Sequence, residues 1–155
     1  MYTSLKAKLF AAALQDAGLV SLLGGGSPLT LRYFDTQLPQ SAGTGFPAIV
    51  VRQVSDIPMY ATTSMLPTRM ARMQFDVYGA GQPGANANNP PDSQSADAVV
   101  QALTAFLNSF NGDGITGRTQ SPNLIVSDRD AGIAATQPIT FQRIVDAKIF
   151  WNPTV

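Results

Sequence analysis

The stretch Arg69-Met70-Ala71-Arg72-Met73-Gln74-Phe75-Asp76-Val77-Tyr78-Gly79 decides the fold. Side chains of an extended chain alternate between two faces, so Ala71, Met73, Phe75 and Val77 fall on one side. Met70, Arg72, Gln74, Asp76 and Tyr78 fall on the other. The pattern predicts a strand buried on a single face. Such a face needs an amphipathic cover, and the cover lies downstream. Ala96, Val99, Val100, Leu103, Phe106, Leu107 and Phe110 recur at helical spacing as one unbroken apolar stripe. Asp92-Ser93-Gln94-Ser95 starts this helix, with Asp97 in its first turn, and Asn111-Gly112-Asp113-Gly114 stops it.

The flanking segments extend the same architecture. Ala48-Ile49-Val50-Val51-Arg52-Gln53-Val54 is apolar on both faces at its centre and reads as a central strand entered through Pro47. Residues 140–151 form the last strand, with Val145, Ala147, Ile149 and Trp151 facing one way and Asp146 and Lys148 the other. Residues 29–34 are a short strand candidate. Residues 115–119 and Leu124-Ile125-Val126 follow the second helix, and a Gly-rich turn is expected around 130–132. At the N-terminus, Ser4 or Thr3 caps a helix carrying Leu5, Leu9, Ala13 and Ala17, broadened by Phe10 and Leu14. Gly18 is placed as its C′ residue, and residues 19–23 add one more turn before Gly24-Gly25-Gly26 and Pro28 break it. Residues 55–68, rich in Met, Pro and Thr, read as a long hairpin arm or an irregular loop. The 155 residues show no internal repeat and no separating linker. The expected molecule is one α+β domain over 1–155, a mostly antiparallel (mixed) β-sheet packed against two main α-helices, with long loops at about 55–68 and 79–94.

Composition narrows the chemistry. The chain has no histidine, no cysteine and no glutamate; all ten acidic residues are aspartate. A Ser/His/Asp triad, a Cys/His dyad and a thiolate–imidazole zinc site are therefore beyond it. Charged residues make up 13% of the chain, about half the usual ~25%, and a surface so poor in charge invites association. Ten cations balance ten anions, and no run of Lys and Arg along the sequence marks a tight phosphate-binding cluster. The amphipathic segment that carries Lys6, Lys8, Gln15 and Asp16 has neither the apolar core of a signal peptide nor the length of a membrane span.

Candidate motifs fall mostly to structural readings. Gly24-Gly25-Gly26-Ser27 follows a helix and runs into Pro28, the reverse of a phosphate loop, and reads as a helix stop. Asn111-Gly112-Asp113-Gly114 lacks the rest of a calcium-loop ligand set, the closing glutamate above all. Asp128 and Asp130 project the same way from an extended chain and would offer two carboxylates to Mg²⁺, with Asp76 or Asp146 joining from neighbouring strands; a solvated turn is the preferred reading. Met59, Met65, Met70 and Met73 form an adaptable group. Met73 suits the core, whereas Met59 and Met65 suit either a binding arm or core filling.

In order and spacing, these pieces resemble the tail-completion or tail-terminator (tail-to-head joining) proteins of long-tailed bacteriophages. The residues that carry the resemblance are the N-terminal helix ending near Gly18, the 24–26 stop, Arg32-Tyr33 with Leu38-Pro39, and Phe46-Pro47-Ala48-Ile49-Val50-Val51. Arg72-Met73-Gln74-Phe75-Asp76-Val77-Tyr78, the helix over 96–110 and Val145-Asp146-Ala147-Lys148-Ile149-Phe150-Trp151 complete the series. The segments 55–68 and 79–91 are longer than that family suggests. The resemblance implies a structural, non-enzymatic virion subunit, assembled in the host cytoplasm, whose ring, hexameric in such proteins, ends the tail tube and joins it to the head connector. Partners would be copies of itself, the tail tube protein and neck proteins, with DNA only in transit through the lumen and no membrane. Arg72, Gln74 and Asp76 become candidates for contacts between subunits or with the lumen, and Met59 and Met65 for a docking arm. No catalytic residue, cofactor or metal is assigned. The alternatives are a head-completion or neck adaptor ring, an Asp-based metal-dependent phosphoesterase, and a monomer that binds a peptide along a sheet edge.

Overall fold

The computed structural model describes residues 4–25, 27, 30–37, 47–60, 62–79, 94–112, 123–136 and 139–153. The fold is α+β. The N-terminal helix is two helices, α1 (Leu5–Ala13) and α2 (Ala17–Leu23). Ser4 caps α1, its Oγ accepting from the Ala7 N–H at 3.2 Å. The expected stop at Gly18 is wrong, for a local reason. Asp16 accepts from the Leu19 N–H at 2.9 Å and starts a new helix, which places Gly18 inside α2. The true stop is Gly24, left-handed at φ 94°. Arg32 fastens that end: its backbone N–H donates to Leu23 O at 2.8 Å, and its guanidinium donates to Leu22 O at 3.2 Å and Pro47 O at 2.8 Å.

Five strands follow in the order β1-β2-β3-β5-β4 across the sheet. They are β1 (Tyr33–Asp35), β2 (Ala48–Tyr60), β3 (Met65–Gly79), β4 (Leu124–Thr136) and β5 (Ile139–Trp151), with α3 (Gln94–Ser109) between β3 and β4. Only β1 runs parallel to its neighbour; the β2–β3, β3–β5 and β4–β5 pairs are antiparallel. The segment 55–68, left between arm and loop by the sequence and counted among its long loops, is a hairpin arm: β2 continues to Tyr60 and β3 begins at Met65. The Gly-rich turn expected at 130–132 is instead a bulge within β4, where the register shifts between Asp130 and Gly132. Pairing with β5 keeps the strand extended, and a bulge absorbs the extra residue. Residues 80–93 of the loop expected at about 79–94, residues 115–119, Leu29, Leu38, Pro39 and Phe46 lie outside the described residues.

The three helices among the described residues pack on one face of the sheet. Leu5, Leu9, Leu19 and Leu23 of α1 and α2, and Val99, Leu103, Phe106 and Leu107 of α3, share a core with Ile49, Val51, Met73, Phe75, Val77, Val145, Ala147, Ile149 and Trp151. The start of α3 lies so close to the end of β3 that a Cβ on Gly79 would come within 2.9 Å of Ala96. Its C-terminal carbonyls are satisfied by Asn123, buried, whose Nδ2 donates to Leu107 O at 2.7 Å and Phe110 O at 2.9 Å. The opposite face of the sheet has no helix on it among the described residues.

Phe106 sits in the centre of this interface at 3% exposure. Phe106→Ala should cost about 3–5 kcal/mol through the cavity it leaves. Urea unfolding measures this directly, and a loss below about 1 kcal/mol would mean the α3 face is misassigned.

Candidate functional site

Two surfaces stand out once the core is accounted for. The first is the β2–β3 arm. The last residue of β5, Trp151, pairs with Arg69, so, among the described residues, residues 65–68 of β3 have only β2 beside them. On β2, strand β1 pairs with residues 49–51, and from Arg52 to Tyr60 the outer edge is unpaired among the described residues. Val54, Ile57, Tyr60, Met65 and Leu66 are exposed along this arm, Met65 at 62%. Met59, at the same end, is half-buried. An apolar projection of this kind marks a contact surface. Its edge is blunted by the bulge at Val54 and by Pro58, which lacks an N–H. The arm therefore offers side chains rather than a ladder for strand addition. Its base is held firmly: Asp56 accepts from Arg69 Nε at 3.0 Å and from Trp151 Nε1 at 3.2 Å.

The second surface is the helix-free face of the sheet, where alternation places Arg52, Met70, Arg72, Gln74, Asp76, Tyr78, Gln142, Asp146 and Lys148, with Ser127 and Arg129 from β4. Two carboxylates lie buried in it. Asp76, 1% exposed, accepts from Gln74 Nε2 at 2.9 Å and pairs with Arg52 at 3.3 Å. Asp146, 3% exposed, accepts from Ser127 Oγ at 2.9 Å and Arg129 Nη1 at 2.8 Å, with Arg72 at 3.8 Å. Burial alone would raise the pKa of Asp146. The hydrogen bonds from Arg129 and Ser127 and the charges of Arg129 and Arg72 outweigh it and hold the carboxyl below the usual range.

The aspartates considered for Mg²⁺ do not converge. Asp128 is level with Val145 and Asp130 with Arg143, both on the helix-packed face, whereas Asp76 and Asp146 occupy the other. Arg143 gathers the first group. Its Nη1 donates to Asp97 of α3 and its Nη2 to Asp128, each at 2.6 Å, and its Nε lies 3.4 Å from Asp130. This guanidinium ties α3 to the β4–β5 hairpin. A cleft between α1 and β1 is lined by Lys6, Phe10, Tyr33 and Asp35. The Tyr33 hydroxyl is buried without a partner among the described residues, and burial, then the charge of Asp35, push its pKa far up.

Of the candidates singled out from the sequence, Arg72, Gln74 and Asp76 share the helix-free face, and Met59 and Met65 share the arm. The two groups are separate surfaces. Asp76 lies on the face its alternation predicts but is buried there, with Gln74 donating to its carboxylate and Arg52 paired with it. Sequence reasoning missed Arg52, Arg129, Lys148, Asn123 and Arg143. Their roles come from register between distant strands, and only the alternation of Asp146 and Lys148 hinted at one of them. No family model matches the chain, and no curated protein matches it either. Among the described residues, no helix is long and apolar enough to cross a membrane.

The folded pKa of Asp146 lies below the unfolded value of ~3.9. Its contribution to stability is therefore complete above about pH 5 and fades as pH falls below the unfolded value and through the folded one. Asp146→Asn should cost about 1–2 kcal/mol at pH 7 and flatten the acid side of the stability profile. Urea titrations from pH 7 down to about pH 2 read both effects. A variant with the same acid slope as the parent would remove Asp146 from this role.

Proposed function

We propose that this chain is a structural subunit of the tail-terminator type, forming a ring that ends a phage tail tube and presents the surface for joining it to the head connector. The observation that carries the reading is the β2–β3 arm. An apolar, anchored hairpin with a blunted edge, on a chain with few charges, suits a subunit that finds its place by docking side chains. The one-sided packing of the helices fits a wall whose sheet turns one face inward and whose helices pack outside. A ring also needs heterologous contacts that close, and an arm projecting from one end of the sheet supplies one half of such a contact. The residue set agrees with this role, because it lacks the histidine and cysteine on which Ser/His/Asp triads, Cys/His dyads and thiolate–imidazole zinc sites are built.

The purified protein, added to tail tubes during growth, should halt elongation and be found at tube ends. Tubes that elongate unchanged, with no bound protein, would overturn the proposal. Binding to head connectors but not to tubes would replace it with a neck adaptor. Met65→Asp, at the exposed tip of the arm, should leave stability within about 0.5 kcal/mol while lowering tube association at least tenfold. Co-sedimentation with tubes alongside thermal unfolding separates the two effects, and unaltered association would exclude the arm from docking.

A further inference from the structure

The helix-free face contains a cationic patch that nothing in the linear sequence announces. Arg52 of β2, Arg72 of β3, Lys148 of β5 and Arg129 of β4 come from four adjacent strands and share this face. Strand spacing sets the patch at roughly 14 Å across. The arginine side chains are about half exposed, at 50%, 47% and 50% for Arg52, Arg72 and Arg129. Among the described residues two buried carboxylates, Asp76 and Asp146, lie beneath them, so four cations meet two anions.

Two of the cations are arranged against the ordinary rules of sheet stability. Arg72 and Lys148 stand directly opposite each other in the β3–β5 register, and like charges so placed repel. Arg72 has only the distant Asp146 contact at 3.8 Å, and Lys148 has no ion pair among the described residues. The buried aspartates hold Arg52 and Arg129 in place, yet each side chain stays half exposed. Positioned, under-compensated cations on an open sheet face form an anion site.

We infer that this patch binds the phosphodiester backbone of double-stranded DNA. An acidic polypeptide fits less well. Peptide docking calls for a groove, an open edge or a cluster of apolar anchors, whereas the four cations run across the sheet face from β2 to β4 and meet the exposed apolar arm at its base, where Ile57 pairs with Met70. Backbone phosphates need only spaced cationic donors, and guanidinium matches phosphate geometry. The chain carries no net charge, so the attraction is local and sensitive to salt. This inference goes beyond the ring proposal and stands without it, since DNA binding is measured on the protein alone.

The test is fluorescence anisotropy with a labelled 20-base-pair duplex of random sequence across a salt series. With three to four phosphates neutralised, affinity should fall roughly 20- to 50-fold between 50 and 150 mM salt. Arg72→Gln with Lys148→Gln should weaken binding for every sequence and reduce the logarithmic salt slope by about 2. Lys6→Gln removes a charge outside the patch and should leave the slope unchanged; circular dichroism of each variant confirms folding. No binding to DNA at 50 mM salt, or an unchanged slope in the double variant, would overturn the inference. Preferential capture of poly-aspartate over DNA would overturn it in favour of an acidic protein partner.

Discussion

The burial of Ala71, Met73, Phe75 and Val77 beneath α3 is the constraint on which the rest of the molecule depends. Period-two alternation means that fixing one face of β3 fixes the other, and a one-residue slip would exchange them. With the apolar residues held under the helix, Arg72, Gln74 and Asp76 must occupy the helix-free face. The flanking strands inherit the same division through register: Val145, Ala147 and Ile149 of β5 join the core, while Asp146 and Lys148 join Arg72. The charge chemistry of the protein is thus a consequence of its hydrophobic packing. Carboxylates left on the polar face without helical cover are satisfied by arginines from neighbouring strands, and buried charges of this kind persist only when paired and hydrogen-bonded.

The helix-packed face has its own polar fastenings, one near each end of the sheet. At one end Asp56 joins Arg69 and the indole of Trp151, so the base of the β2–β3 arm is locked while its tip projects. At the other, Arg143 joins Asp97 on α3 to the aspartates of β4. At the Trp151 end as well, Asn123 closes the end of α3 and accepts from the Phe150 N–H at 3.3 Å, linking helix to sheet. A rigid body bearing a projecting apolar arm is a sensible design for a subunit that assembles, because little ordering is left to offset when contact is made.

The sequence made β3, α3 and β5 legible, because each carries a strong local period: two for Met73, Phe75 and Val77, and helical for Val99, Leu103 and Phe106. The first helix was legible in content but not in its break. Asp16 was read as a polar residue of one helix rather than as the cap of a second, and Gly18 attracted the stop that belongs to Gly24. The turn expected near Gly132 failed because glycine serves a bulge as well as a turn, and only pairing with β5 distinguishes them. The exposed arm was half legible in the Met, Pro and Thr of 55–68. The cationic patch was not, since Arg52, Arg72, Arg129 and Lys148 are scattered in the chain and meet only through strand order. For the same reason Asp128 and Asp146, plausible metal partners by proximity, prove to face opposite sides of the sheet.

A subunit of the proposed type closes on copies of itself at the end of a tube. Mass photometry of the protein, alone and after release from capped tail tubes, tests that most directly. The expected result is an assembly of about six times the 16.4 kDa chain mass, free in solution or recovered from the tube end. A single-chain mass under both conditions, with no protein retained by the tubes, would contradict it.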